Sequence, residues 1–476
     1  MVKRLPLTLF TALLAGCALG PDYQRPAEEL PTQWPAAVTQ AMTAQTDWAE
    51  WWKRYQDPVL DRLVAEALAN NLDVRIAAAN IAQARAALGL SEAQRYPTLA
   101  VQADAARGEG TSELLGGSGS PANTFRIAGT LNYEIDLWGR LSRATEAARA
   151  QLLQVSFAAD AIRLALVTDV VVGYFDLRAV QQQIRTTTAT IESRREAYRL
   201  EQSRVRNGAS TELTLRQTEA ELARAEAQLP LLQRQEAQLR RALARLTGAG
   251  AAALLDPPPL PEGELSTLNF STELPERLPS ALLERRPDIR AAEAALIAAN
   301  ANVGVARAAF FPQLNLAGTL GTGAREVGDL FSGPATLWQI GGSVFASVLD
   351  FGRRRAVLES AQAARDAAEL QYRATVRDAF RDVGNAWTLL ETANRRLTAL
   401  NRQVEALEAA VRLAERRYQI GYAPFLDLLD ARRALFDAQL AQIEAARDRL
   451  AATATLFKAL GGGWGPEAAE YARAGE

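Results

Sequence analysis

Between about Leu141 and Val205 the chain keeps helical spacing throughout. A helix of roughly 65 residues, rising about 1.5 Å per residue, is about 100 Å long. No globular domain holds that. Each such run grows out of a strand. Phe125, Ile127, Gly129, Leu131, Tyr133 and Ile135 alternate with Arg126, Ala128, Thr130, Asn132, Glu134 and Asp136. This is the period of two of a strand with one apolar and one polar face. The helical run follows across Leu137-Trp138-Gly139-Arg140, and the same passage recurs at Leu349-Asp350-Phe351-Gly352-Arg353.

The recurrence extends over the whole chain. Pro287-Asp288-Ile289-Arg290 matches Leu72-Asp73-Val74-Arg75, and Phe311-Pro312 matches Tyr96-Pro97, at an offset of 215. Gly352 matches Gly139, Trp387 matches Tyr174, Gly421 matches Gly208 and Gly461 matches Gly248 at an offset of 213. Landmarks that hold register over such a length imply a duplication. The reading is a first repeat over 58–248, a linker over 249–278 with Pro257-Pro258-Pro259, and a second repeat over 279–461 before a tail at 462–476. In the first repeat one helix runs from about Pro58 to Arg95 and stops at Tyr96-Pro97. A strand through Leu99, Val101 and Ala103 follows, then the Gly116-Gly117-Ser118-Gly119 loop. Beyond the second strand come the long helix, a glycine stop at Gly208, a cap at Ser210 or Thr211 and a helix to about Leu246. The second hairpin alternates through Leu314, Leu316, Gly318 and Leu320, then Ile340, Gly342, Val344, Ala346 and Val348. The two shorter helices of a repeat, laid end to end, equal one long helix, so the natural packing is a bundle. Leu141, Ala144, Ala148, Leu152, Val155, Ala159, Ile162 and Leu166 step by three or four, as do Leu426, Leu429, Arg433, Phe436, Leu440 and Ile443. That is coiled-coil spacing.

Composition narrows the function. The 476 residues carry 53 basic and 55 acidic side chains, net −2, and no histidine. A nucleic-acid binder would show a basic excess. Without histidine the commonest metal ligand and general base are both missing, and no nucleophile motif replaces them, so the chain is read as no enzyme, with no metal and no bound cofactor. Residues 1–16 have the form of a secretory signal: Lys3 and Arg4 precede an apolar run from Leu5 to Leu14 that is too short to span a bilayer. Its removal takes Lys3 and Arg4 and moves the net charge from −2 to −4. Leu14-Ala15-Gly16-Cys17 resembles a bacterial lipobox, which implies cleavage before Cys17 and covalent lipid on its sulfur. Ala18 in the next position, by the same resemblance, points to the outer membrane. Residues 17–57 form a Pro-rich arm that packs by Trp34, Trp48, Trp51 and Trp52. No later stretch is apolar enough for a membrane helix, so any spanning element is β.

Strands of about ten alternating residues cross a bilayer when tilted. Four per chain leave open edges, which lipid does not tolerate. Two chains supply eight strands, and three supply twelve with room for a channel. A soluble sheet with one buried face is the reading for a single hairpin; two matched hairpins behind a lipoprotein start favour the barrel. A secreted coiled-coil stalk would need the helices but not the hairpins.

Long strings of residues together resemble the TolC-like outer membrane efflux proteins, in the lipoprotein branch with OprM and the NodT-type factors. They are Cys17-Ala18-Leu19-Gly20-Pro21-Asp22-Tyr23-Gln24-Arg25-Pro26, Glu134 to Arg140, Arg285-Arg286-Pro287-Asp288-Ile289, Asn300-Ala301-Asn302-Val303-Gly304 and Ala308-Ala309-Phe310-Phe311-Pro312. The resemblance implies an α+β membrane protein. A homotrimeric 12-stranded β-barrel in outer-membrane lipid, four strands per chain, continues into a coiled-coil α-helical barrel through the periplasm. It implies a passive exit duct for small molecules such as drugs, with a periplasmic adaptor and an inner-membrane pump of the RND type as partners. It places the pore constriction at the second hairpin tip, where Asp427, Asp430 and Tyr418 fall on the family's closing residues and Gly421 turns the chain. Residues three apart share a helix face, so a trimer would gather six carboxylates around its axis and attract cations. On spacing alone Asp427 is a helix N-terminal acid and Asp430 a solvated residue. Ala423 stands where some members carry a latching arginine, and the first tip, at Gly208, has Thr214 and Gln217 in place of the two aspartates. At the joints, Gly139 and Gly352 give the backbone room to turn, and Asp136 and Asp350 read as helix N-terminal acids before pore-facing charges. Arg194-Arg195, Arg353-Arg354-Arg355 and Arg395-Arg396 read as solvated faces or inter-helix ion pairs.

Overall fold

The computed structural model describes residues 19–33, 50–108, 121–261, 263–265, 268 and 282–462. The expected signal segment, Cys17, Trp34, Trp48, the Gly116–Gly119 loop, most of the linker beyond 261 and nearly all of the tail lie outside the described residues. In chain order, a 3₁₀ turn Trp51–Tyr55 precedes α1 (Pro58–Asn70), α2 (Leu72–Ala93), β1 (Thr98–Gly108), β2 (Ala122–Ile135), α3 (Arg140–Arg206) and α4 (Glu212–Leu246). There follow α5 (Ala251–Leu255), α6 (Leu282–Arg285), α7 (Pro287–Ala308), β3 (Gln313–Ala324), β4 (Thr336–Phe345), α8 (Arg353–Gln419) and α9 (Phe425–Ala459). The duplication holds element by element: α7 repeats α2 at the offset of 215, while α8 and α9 repeat α3 and α4 at 213. The long helices have 67 residues each and their partners α4 and α9 have 35 each. Among the described residues no helix is both long and apolar enough to cross a membrane.

Contacts divide the chain into two compact units, and each unit draws on both repeats. One gathers residues 80–155 and 291–373 with the arm up to Ala27. It contains a single antiparallel sheet in the order β1-β2-β3-β4. The hairpin registers are equivalent: Thr98 faces Asn132 in the first and Gln313 faces Phe345 in the second. Between the hairpins Ile135 faces Leu314. Every residue of β1 is exposed in the single chain. Strand β4 ends at Phe345, short of the Val348 expected from alternation, because its partner β3 begins only at Gln313, opposite Phe345. The helices of this unit meet through small residues, with Ala147, Ala150, Ala294, Ala298 and Ala301 buried.

The other unit gathers 28–79, 156–290 and 374–476. Its core is aromatic and branched: Trp51, Tyr55, Leu60, Val170, Val171, Tyr174, Phe175, Leu450, Leu456 and Phe457 are all nearly inaccessible. Trp51 stacks on Phe457 at 5.2 Å between centroids, and Tyr55 meets Phe175 edge-on at 4.9 Å. The arm therefore packs through Trp51 and Trp52, as expected of its aromatics. The single helix expected from Pro58 to Arg95 is broken at Asn71, which is extended (φ −60°, ψ 134°). Its Oδ1 accepts from the backbone N–H groups of Asp73 and Val74, capping α2, and its Nδ2 donates to the Leu246 carbonyl at 2.9 Å. Ile162 and Leu426, assigned to apolar seams, are 38% and 49% exposed in the single chain. Spacing identifies a stripe but not whether the same chain covers it.

Candidate functional site

At the first joint Asp136 accepts from the N–H groups of Leu141 and Ser142 and from the Ser142 hydroxyl, so it caps α3. Arg140 closes a two-pronged pair back onto Glu134 (2.9 and 2.6 Å). At the second, Asp350 accepts from the N–H groups of Gly352 and Arg354 and pairs with Arg354 Nε at 2.5 Å. Arg354 and these N–H groups hold the Asp350 carboxyl below its ordinary range. Both aspartates thus turn strand into helix, the role read for them at a helix N-terminus. Gly139 and Gly352 take φ of +73° and +86°, conformations that exclude most side chains. Trp138 completes the first joint: its Nε1 donates to the Pro312 carbonyl at 2.7 Å and its ring lies 4.8 Å from Phe311.

The N-terminal arm is seated on α7 and the first joint. Leu19 N–H donates to the Trp138 carbonyl, Asn300 Nδ2 donates to the Pro21 carbonyl, and Asp22 pairs with Arg143 at 2.7 Å. Tyr23 donates to Glu293, which Arg25 also grips through two nitrogens. A Cβ on Gly304 would lie 2.8 Å from the Leu19 carbonyl oxygen. The strings 19–26 and 300–304, distinctive in the sequence, are two sides of one contact.

The far turns are alike. Gly208 (φ +69°) and Gly421 (φ +80°) end α3 and α8. Ala209 N–H reaches back to the Arg204 carbonyl, and Tyr422 N–H to that of Arg417, the six-to-one bond of a glycine-stopped helix. Thr211 caps α4 by accepting from Thr214 N–H. On α9, Leu428 and Leu429 are buried while Asp427 and Asp430 are exposed, so the two carboxylates share the open face. Asp430 lies 3.6 Å from Arg433, which also pairs with Glu221 of α4 at 2.6 Å. Tyr418 is not joined to the aspartates. Its hydroxyl donates to Glu201 at 2.9 Å and accepts from Arg204 at 3.2 Å, both on α3. Burial and the Glu201 carboxylate push the hydroxyl pKa up. Its ring meets Phe425 at 5.4 Å. A cavity of about 260 Å³ beside it is lined by Glu196, Glu201, Arg204, Glu415 and Arg432.

Sequence reasoning missed Glu201 and Glu221, which are only 2% and 5% exposed. Arg194 is an inter-helix partner: buried, it pairs with Glu221 at 3.2 Å and donates to the Glu221 carbonyl at 2.7 Å. Arg195 beside it is a surface residue paired with Glu192 and Glu226. Arg354 belongs to the second joint, Arg355 pairs along its own helix with Glu359, Arg395 pairs with Glu391, and Arg396 reaches Asp448.

The model of the outer membrane efflux protein family matches residues 63–249 and 278–462. The chain is 35% identical over 458 residues to the outer membrane protein OprJ of Pseudomonas aeruginosa, covering 96% of this chain and 95% of that one. It is 34% identical over 470 residues to the solvent efflux pump outer membrane protein SrpC of Pseudomonas putida, covering 97% and 98%. The structure matches that of the outer-membrane channel OprN with a TM-score of 0.87 at 31% identity, covering 94% of this chain and 100% of that one. Matched along both repeats, and carrying the strand-to-helix joints that a channel between lipid and periplasm requires, the chain belongs to the outer membrane efflux protein family.

Proposed function

We propose that three copies of this chain form the passive exit duct of a tripartite efflux system, anchored by lipid on Cys17. Their twelve strands close a barrel in the outer membrane and their helices carry the tunnel into the periplasm. The observation that carries this reading is a four-stranded sheet with two open edges, each of its hairpins leading into a 67-residue helix. A sheet cannot stay open in lipid. Twelve strands enclose a bore, whereas eight would be filled by their own side chains. The energy comes from an inner-membrane pump, of the RND type, reached through a periplasmic adaptor. The cargo is a small molecule set by that pump, and the chain performs no chemistry on it.

The gate is placed at Asp427 and Asp430, with Tyr418 tying the second tip to α3. The open face of these two carboxylates supports a ring of six around a threefold axis, attracting cations and narrowing the bore. An adaptor opens the tip by binding the open form in preference to the closed. The test is single-channel conductance of the purified protein in planar bilayers. The parent protein should run as a heat-dissociable trimer on gels and conduct with cation preference. The double variant Asp427→Ala, Asp430→Ala should raise conductance several-fold and lose that preference; unchanged conductance and selectivity would remove the gate from these residues.

A further inference from the structure

The duplication repeats one face of α4 on α9, and the two faces are covered differently. On α9, Thr453, Leu456 and Phe457 are at most 2% exposed. The arm covers them. Trp51 stacks on Phe457 at 5.2 Å, and the Tyr55 and Thr453 hydroxyls share a hydrogen bond of 2.5 Å. Their equivalents on α4, at the offset of 213, are Arg240, Leu243 and Ala244. Here the place of the two rings is a cavity of about 350 Å³. Its apolar wall includes Leu63 of α1, Leu243 and Ala244 of α4, Ala253 of α5, and Pro258 and Leu260 beyond it. That volume lies at the lower end of the range for small-molecule sites.

Two exchanges between the repeats define what the cavity can hold. Alanine at 244, where α9 has Phe457, removes a ring and leaves its volume open. Arginine at 240, where α9 has Thr453, puts a cation in place of a hydroxyl. Among the described residues Arg240 is the only cation lining the cavity. Its Nη2 donates to the Pro257 carbonyl, and its Nε, sealed from solvent, has no partner among the described residues. A carbonyl accepts a hydrogen bond but does not neutralise a charge, and a buried N–H without an acceptor is costly. The other polar groups of the wall are engaged elsewhere. The Thr247 hydroxyl donates to the Ala244 carbonyl at 3.1 Å, and Glu66, half exposed, pairs along its own helix with Arg62 at 3.8 Å. Pro257 and Pro258 have no N–H to offer a ligand.

We infer that this cavity binds an aromatic carboxylate. Its ring takes the place that Trp51 and Tyr55 occupy on α9, and its carboxylate pairs with Arg240. The ring follows from the equivalent face, which the chain covers with aromatic side chains. The carboxylate follows from Arg240, whose planar guanidinium matches that anion in geometry and charge. A neutral molecule of the same shape leaves the cation uncompensated, and an amine repels it. None of the lining residues belongs to the gate, so the site does not depend on where the channel closes. A bound acid bridges α1, the end of α4 and the Pro257–Leu260 stretch, and it stabilises the folded chain by binding that state alone.

The test is calorimetric titration of the purified protein in nanodiscs, with empty nanodiscs as background. The probes are 3-phenylpropionate and 2-naphthoate, beside 3-phenylpropan-1-ol, 3-phenylpropylamine and octanoate. At least one aromatic acid should bind the parent protein about tenfold or more tightly than the alcohol, the amine or octanoate. That acid should also raise the unfolding temperature followed by far-ultraviolet circular dichroism. Arg240→Gln should weaken its binding about tenfold or more. Ala244→Phe, which gives α4 the ring that α9 has at Phe457, should abolish binding and raise the unfolding temperature without ligand. No binding of either aromatic acid to the parent overturns the site. Equal binding of the alcohol overturns the role of Arg240, and tighter binding of octanoate overturns the ring. Unchanged binding in a folded Ala244→Phe variant places the ligand elsewhere and overturns the cavity. The comparison of acid with alcohol needs no variant, so it decides the matter even if Arg240→Gln does not fold.

Discussion

Two glycines with the same backbone sign have different reasons to be glycine. Gly208 (φ +69°) has nothing within 4 Å of where a Cβ would stand, so only its left-handed backbone resists substitution. Gly248 (φ +80°) has the Asn70 carbonyl oxygen 2.5 Å from that position, so a side chain there meets backbone as well. Replacing Gly208 by alanine should cost about 1 kcal/mol, the left-handed penalty alone. Gly248→Ala should cost at least about 2 kcal/mol more, because two chain segments must separate. Urea unfolding of the detergent-solubilised protein, followed by far-ultraviolet circular dichroism, should place the two midpoints in that order. Residues such as Gly208 were legible locally, since Asn207-Gly208 after a helical run is a stop signal on its own. Glu201 and Glu221 were not. Each sits in a charged run where a buried acid has the same neighbours in sequence as a solvated one, and what distinguishes them is packing between helices, through Tyr418 for Glu201 and through Arg194 and Arg433 for Glu221.

One joint between elements is built twice from different residues. Asn71, which breaks the helix before the first hairpin, donates to the Leu246 carbonyl at the end of α4. Its repeat equivalent is Arg286, which donates to the Ala459 carbonyl at the end of α9 and also to Ala379, Asp288 and Asp382. Gly248 and Gly461 pack against these two breaks. The Arg-Pro-Asp string is thus a helix start and a clasp on a helix end at once. Arg286→Ala takes the guanidinium from two carbonyls and from two carboxylates that stay about 40% exposed, and should cost about 3 kcal/mol. Asn71→Ala loses one cap and one neutral bond and should cost about 2 kcal/mol. Thermal melts of the two variants should keep that ranking; equal losses would show that the charged clasp adds nothing. The break at Asn71 escaped sequence reasoning because neither glycine nor proline marks it: asparagine inside a helical run signals a break only when a distant carbonyl is waiting for it. Pro230 lies inside α4 without ending it, so the helix runs to Leu246 as its spacing predicts. The long helices, their stops and the hairpins were readable because period and punctuation agree over many residues. The end of β4 was not, because strand length depends on a partner and alternation carries no record of one.

At the scale of the whole molecule, the joint at Gly139 governs assembly before it governs flow. A β-branched residue at φ +73° would misdirect a 67-residue helix where it leaves the sheet. Gly139→Val should therefore reduce the yield of trimer in the outer membrane several-fold, while whatever trimer forms conducts normally. A normal trimer yield with altered conductance would make the joint a pore element. The sheet register has a further consequence. Val101 faces Gly129 and Gly129 faces Leu320, whereas the repeat equivalent of Val101 is Leu316, so each step from one hairpin to the next slides the pairing by four residues. That is about 13 Å along the strands for about 9.6 Å across them, a lean of about 54° from the barrel axis if every step slides alike. Membrane barrels commonly lean roughly 35–45°. At a fixed strand number the circumference grows as the strands lean, by about 1.2-fold over a 45° barrel here. The width of the mouth in the outer membrane is then set by four residues of slippage per hairpin, and a channel with few strands gains a wide bore without adding any.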